Sequence, residues 1–335
     1  MSKLTWHFQG RPKDILDIAK ESKAQWLKFI DPPIDNPAPG KNIIGRLYIP
    51  DGEANAMIMQ GKEGALAWFN RNQYAFAQSP YIHCWELPNE PPVETKNQRA
   101  KLVEFSLRAI ELMHTVGLKT VALNLSVGWP SVGTAIDFIP VLQKTDYWGL
   151  HGYGWRTMDC DAKWYSLRHR RTVSEMGIEV PPLLITECGL EPGGWKKFTD
   201  RKGFQEQLAW WDDELEKDEY VYCATLFTSG PNKDWEDFDI DKELSLWLKD
   251  RIAQSPPIPP VLSTNISNRI REEAWNWWGI SYNPEAAFSI KARLLNLGVP
   301  MTDEFDLDGY RAQGYAGGIV YCKIGHWKDI EFVSW

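Results

Sequence analysis

Apolar residues along this chain follow two alternating patterns: short continuous runs that suit buried strands, and longer stretches with a 3.6-residue stripe that suit helices. The runs predict strands over Leu4–Gln9, Gln25–Ile30, Asn42–Ile49, Tyr81–Leu87, Thr120–Ser126, Asp146–His151, Leu183–Glu187 and Tyr222–Phe227. Helical stripes lie between most of them. Asn97–Val116 carries Leu102, Phe105, Ala109, Leu112, Met113 and Val116 on one face, and Gly203–Lys217 carries Phe204, Leu208, Trp211 and Leu215. Only Asp31–Lys41, after the second run, is too rich in proline for a full helix.

Eight strands alternating with helices over about 250 residues are what a (β/α)8 TIM barrel requires. A doubly wound open sheet would usually carry a glycine fingerprint after its first strand, and no G-x-G-x-x-G or G-x-x-x-x-G-K-[ST] follows any of these runs. The barrel is therefore expected over residues 1–254. Residues 255–265 contain four prolines and predict a stiff, extended linker. Residues 266–335 predict a small C-terminal α+β module, opening on a helical pattern (Ile270, Ala274, Trp275, Trp278) and closing on short strands between glycine-rich turns.

Composition narrows the partners. With 37 basic against 45 acidic residues the net charge is −8, and the basic residues are scattered, which argues against a nucleic-acid footprint and against a membrane surface. No run of 18 apolar residues occurs and Met1–Gln9 has no signal-peptide core, so the expected location is cytoplasmic, or outside the cell by a route that uses no signal. Five widely spaced cysteines without a C-x-x-C pair predict buried, reduced thiols. Six histidines form no H-E-x-x-H or H-x-H, so no metal is expected, and no other cofactor motif appears. Glu304–Gly309 opens like a calcium loop, but Tyr315 stands where the bidentate glutamate would fall, and the segment reads as a turn.

In a barrel of this kind the chemistry gathers at the carboxyl ends of the strands. Two carboxylates stand there: Glu90 in Trp85-Glu-Leu-Pro-Asn-Glu-Pro-Pro after the fourth strand, and Glu187 in Leu183-Leu-Ile-Thr-Glu-Cys-Gly at the end of the seventh. Asn89-Glu90-Pro91 and Thr186-Glu187-Cys188-Gly189 on these strands resemble the clan A glycoside hydrolases. The resemblance implies that Glu90 is the general acid/base, Glu187 the nucleophile, and Asn89 a donor to the sugar hydroxyl beside the reacting carbon. It implies a retaining glycosidase acting on O-glycosidic bonds of a poly- or oligosaccharide, with no cofactor. A retaining reaction needs the pair about 5–5.5 Å apart and titrating separately. The water-poor, proline-rich setting assigns Glu90 the raised value, and Glu187 is expected to be kept ionised by Arg46 or Tyr153.

Each residue has a plainer reading. Asn-Glu-Pro also forms ordinary turns, Arg46 could pair with Asp31 or Asp51, and His151 reads equally as a buried imidazole or a substrate contact. Glu86 is expected to pair with Lys28 inside the barrel, and Glu191 is the rival to Glu187. Of the 18 tryptophans, Trp6, Trp85, Trp129, Trp148, Trp155, Trp195 and Trp235 fall at or just past strand ends, where rings can stack on sugars; Trp85, Trp129, Trp155 and Trp235 are taken as substrate contacts. Trp68, Trp164, Trp210, Trp211 and Trp247 are assigned to helix packing. In the tail, Leu297-Gly-Val-Pro and Asp308-Gly-Tyr-Arg-Ala-Gln-Gly-Tyr resemble a single LGFP-type repeat, a module of bacterial cell-wall proteins, with Val299 in place of Phe. That resemblance adds a bacterial cell wall as a partner and a peptidoglycan-degrading, phage-type lysin as an alternative function. A catalytically silent carbohydrate-binding barrel is the other.

Overall fold

A computed structural model describes residues 2–254, 279–280, 283, 286–295 and 297–335. The linker over 255–265 and the helical pattern from Ile270 to Trp278 lie outside the described residues. The chain forms two compact units, Met1–Pro257 and Ile258–Trp335.

The first unit is the barrel that the apolar pattern predicts. Its strands are β1 (Leu4–Phe8), β2 (Trp26–Ile30), β3 (Asn42–Arg46), β4 (Cys84–Glu86), β5 (Thr120–Leu125), β6 (Tyr147–His151), β7 (Leu183–Cys188) and β8 (Val221–Ser229). All pair in parallel with their sequence neighbours, and β1 closes on β8. Helices α1 (Lys13–Glu21), α2 (Asp51–Ile58), α3 (Lys62–Gln78), α4 (Lys96–Thr115), α5 (Ile139–Leu142), α6 (Arg168–Met176), α7 (Arg201–Leu215) and α8 (Lys242–Gln254) follow in order. No helix separates β2 from β3, as the prolines require. α4 starts at a capping box in which the Gln98 amide donates to Thr95 Oγ1 and the Thr95 amide to Gln98 Oε1.

Alternation along each strand sorts the interior into layers. Trp26, Ile44, Cys84, Val121, Leu184 and Cys223 form an apolar cluster inside the barrel near the amino ends of the strands. Trp26 meets His83 and Tyr147 edge-on there. The residues two positions further along, among them Lys28, Arg46 and Glu86, are polar and buried. In β5 the alternation slips: Leu123 has φ +66°, the register shifts between Ala122 and Leu125, and Asn124 turns inward to accept from Thr186 Oγ1 at 3.1 Å. Gly149 on β6 makes room for that amide, since a Cβ there would lie 2.0 Å from Asn124 Oδ1.

The second unit holds α9 (Ala287–Leu294) and an antiparallel sheet of β9 (Phe305–Leu307), β10 (Tyr310–Tyr315), β11 (Gly318–Lys323) and β12 (Glu331–Val333). Phe288, Ala292, Leu297, Tyr315, Val320 and Cys322 form its small core. The calcium-like segment is the turn expected: Leu307 pairs with Tyr310 across Asp308 (φ +48°) and Gly309 (φ +83°), a two-residue hairpin with both central residues left-handed. The five cysteines are all free thiols, four of them buried and Cys160 half-buried. Among the described residues, no helix is long and apolar enough to cross a membrane.

Candidate active site

Glu187 is the penultimate residue of β7, and three strands converge on it. Inward positions on β2 and β3 bring Lys28 and Arg46 to the same carboxylate oxygen: Arg46 Nη1 donates to Glu187 Oε1 at 2.7 Å and Lys28 Nζ at 3.3 Å. The Tyr153 hydroxyl, just past β6, donates to Glu187 Oε2 at 3.0 Å. Burial alone would raise the Glu187 carboxyl, but the fields of His151, Lys28 and Arg46 outweigh it and hold the group well below the usual carboxylate range. Burial and the neighbouring Glu187 and Glu90 carboxylates push the Tyr153 hydroxyl well up, so it stays a donor. Arg46 thus pairs with neither Asp31 nor Asp51.

Glu90 hangs on the turn after β4 in a left-handed conformation, φ +41°, and its backbone N–H is pinned to the Asn124 carbonyl at 3.0 Å. A non-glycine residue held in this sparsely populated region is tolerated only where surrounding bonds fix it. His151 Nδ1 lies 2.9 Å from Glu90 Oε1 and 3.7 Å from Glu187 Oε2, so one imidazole edge links the two carboxyls. Nδ1 is thus the nitrogen within hydrogen-bond reach of Glu90, while Nε2 is buried without a hydrogen bond among the described residues. The side chain of Glu90 is 42% exposed, so the water-poor setting expected for it is not what surrounds it. Asn89 is half-buried beside it, its Oδ1 buried and without a partner among the described residues.

Two interior residues enter the site that the sequence reading did not place there. Lys28 reaches Glu86 Oε1 at 3.0 Å, the pairing expected, and also the Glu187 carboxylate and the Thr186 carbonyl. His7 on β1 is fully buried against Phe227, with neither ring nitrogen hydrogen-bonded among the described residues. Burial, then the charge of Lys28, push His7 well below its ordinary value despite the opposing pull of Glu187, so it is neutral. Glu191, the rival nucleophile, accepts from the Gly193 amide and takes no part in the Lys28–Arg46 network. Burial, then the Glu90 and Glu187 charges, raise its carboxyl against that hydrogen bond.

The tryptophans divide sharply. Trp85 is only 1% exposed and packs on Phe76 at 4.9 Å, so it is no platform at the mouth; Trp6, Trp148 and Trp195 are likewise buried. The reason is alternation: Trp85 sits between inward Cys84 and Glu86 and must point to the helices. Trp155 and Trp235 keep 37% and 38% of their surface exposed, and Trp129 is half-buried. Trp235 joins the site through Phe227, which it meets edge-on at 5.4 Å and which itself faces Tyr153. Trp155 stacks on Tyr165, and Trp129 is held by its carbonyl, which accepts from the buried Arg168. Neither contacts the carboxylate network. Of the helix-packing set, Trp68 and Trp211 are buried as expected, Trp247 packs on the core, and Trp164 and Trp210 are largely exposed. Among the described residues, no cluster of histidine, cysteine and carboxylate side chains could hold a metal.

No family model matches the chain, and no curated protein matches it. Solved structures share its fold. A glucosidase from Croceicoccus marinus matches with a TM-score of 0.53 at 15% identity, over 75% of this chain and 68% of that one. A GH2 beta-galacturonidase from Eisenbergiella tayi matches with a TM-score of 0.53 at 13% identity, over 72% of this chain and 46% of that one. A GH128 exo-beta-1,3-glucanase from Blastomyces gilchristii aligns with a TM-score of 0.48 at 13% identity, over 73% of this chain and 97% of that one. At such identities the likeness establishes the barrel fold, here one that glycoside hydrolases use.

Proposed function

We propose that the protein is a retaining glycoside hydrolase of the clan A type, with Glu187 as nucleophile and Glu90 as acid/base. The observation that carries this is the single imidazole nitrogen of His151 lying against both carboxyls. It limits those two oxygens to at most about 6.6 Å apart, at the lower edge of the ~6.5–9.5 Å of inverting enzymes and compatible with the ~5–5.5 Å of retaining ones. Protonated Glu90 donates to the glycosidic oxygen while a Glu187 oxygen bonds to the anomeric carbon. The C–O bond breaks, the leaving group departs as an alcohol, and Glu187 is left as a glycosyl ester. Glu90, now a carboxylate at a water-accessible position, takes a proton from the water that attacks the anomeric carbon and frees Glu187. The glucosidase and beta-galacturonidase of the same fold support glycosidase chemistry.

In this reading residues 1–254 are the catalytic barrel, 255–265 the linker, and 266–335 an accessory module. Tyr310, Trp327 and Trp335 are exposed on that module and offer flat apolar faces to a polysaccharide such as a bacterial wall; co-sedimentation with purified peptidoglycan tests this. The catalytic reading is tested with a panel of neutral and acidic aryl glycosides, with product configuration followed by NMR. Wild-type hydrolysis with retained configuration is expected. Glu187→Gln should abolish it and Glu90→Gln should slow it at least ~100-fold on poor leaving groups. Hydrolysis surviving both substitutions, or inversion, would sink the assignment.

A further inference from the structure

The deepest charges in the barrel are not all needed to hold the resting nucleophile. Lys28 lies between two carboxylates, 3.3 Å from Glu187 and 3.0 Å from Glu86. The Glu86 side chain is fully buried, and neither of its oxygens has a directed hydrogen bond among the described residues. A buried carboxylate with only an ion-pair contact is costly to keep, so its presence asks for a reason beyond packing.

Formation of the glycosyl ester supplies one. At rest two cations, Lys28 and Arg46, face two anions, Glu86 and Glu187. When Glu187 bonds to the anomeric carbon its charge is lost, and without Glu86 both buried cations would stand unmatched. The proton that Glu90 gives to the leaving oxygen leaves a negative charge on Glu90, but that carboxylate is half-exposed and faces His151. The remaining neighbours of Glu187 are His151, Tyr153 and neutral His7, with Glu191 farther along the loop; none supplies an anion to Lys28. We infer that Glu86 is a positioning residue that holds the counter-charge for Lys28 during the covalent intermediate, so that the intermediate forms without stranding a buried ammonium. The inference rests on the retaining reading above.

The test uses a 2-deoxy-2-fluoro glycoside with a dinitrophenolate leaving group, built on whichever sugar of the aryl panel is turned over fastest. Adduct formation and its subsequent turnover are followed by intact mass and by return of activity. In Glu86→Gln the adduct should form roughly 10- to 100-fold more slowly and turn over faster, because the neutral amide removes the charge that favours the ester. Glu86→Asp keeps the charge and should partition like the wild type. Lys28→Met/Glu86→Gln removes cation and counter-charge together, and the ratio of adduct formation to turnover should return toward that of the wild type, whatever overall rate is lost with a contact of Glu187. A residue that only packs would slow or spare both steps alike and would not be rescued by removing Lys28. A wild-type ratio in Glu86→Gln, or a double variant whose ratio lies no closer to the wild type, overturns the inference alone. Absence of any adduct in the active wild type overturns the retaining reading and this inference with it.

Discussion

The two ends of the barrel interior are built by the same eight strands and have opposite characters. Near the amino ends, Trp26, Ile44, Cys84, Val121, Leu184 and Cys223 close the bore with apolar contacts. Two residues further on, Lys28, Arg46 and Glu86 place charge at equal depth. One step of strand period separates a plug that only has to fill space from a layer whose charges must be matched in number as well as position. The plug tolerates any side chain of the right volume, whereas the charged layer fails when a single partner is removed.

Arg46→Met is expected to have the largest effect in the charged layer. It leaves Glu187 without its shortest partner, so kcat/KM should fall by ~100-fold or more, with a stability loss of about 3–5 kcal/mol in urea unfolding. Leu184→Ala breaks the comparison from the other side: about 2–5 kcal/mol of stability should go, while kcat/KM measured on the folded fraction stays within a few-fold of wild type. If the plug variant proved as damaging to kcat/KM as the charged one, the two layers would not be separable. The pH response sharpens the contrast. Because the native Glu187 carboxyl lies below its ordinary value, its stabilisation is complete above about 4.5 and is lost as pH falls through the depressed native value. Urea midpoints of the wild type should therefore drop on acidification below about pH 4.5, and those of Glu187→Gln should drop less. Tyr153→Phe is the mildest change, losing one hydrogen bond of 3.0 Å to Glu187; a fall in kcat/KM of roughly 10-fold is expected.

Much of this was legible in the chain and some of it was open to a better reading. Apolar runs located all eight strands, but β4 shrank to Cys84–Glu86 because Ser79–His83 forms turns that composition alone does not reveal. Glu90, Arg46, His151 and Tyr153 gather around Glu187 because each stands at or just past a strand end. The tryptophan assignments to strand ends failed where parity was ignored: Trp6, Trp85 and Trp148 each lie between two inward neighbours and so face the helices. The same parity would have marked His7 as interior, where Lys28 was already expected. Whether Glu90 is shielded depends on the left-handed turn at its own Cα, and a string of prolines and aromatics cannot announce that.

The slip at Leu123 has a consequence for how this scaffold can change. It acts as a phase shifter: two successive side chains face outward, and from there on the strand reads in the opposite frame. Asn124 owes its inward place to that shift, and its carbonyl is what anchors the Glu90 amide while its side chain receives Thr186, next to the nucleophile. Were β5 to keep plain alternation at its present length, Asn124 would face the helices and its side chain would lose Thr186, beside the nucleophile. The loops around the mouth are therefore free to be rebuilt, whereas the fifth strand must keep its asparagine in the inward frame.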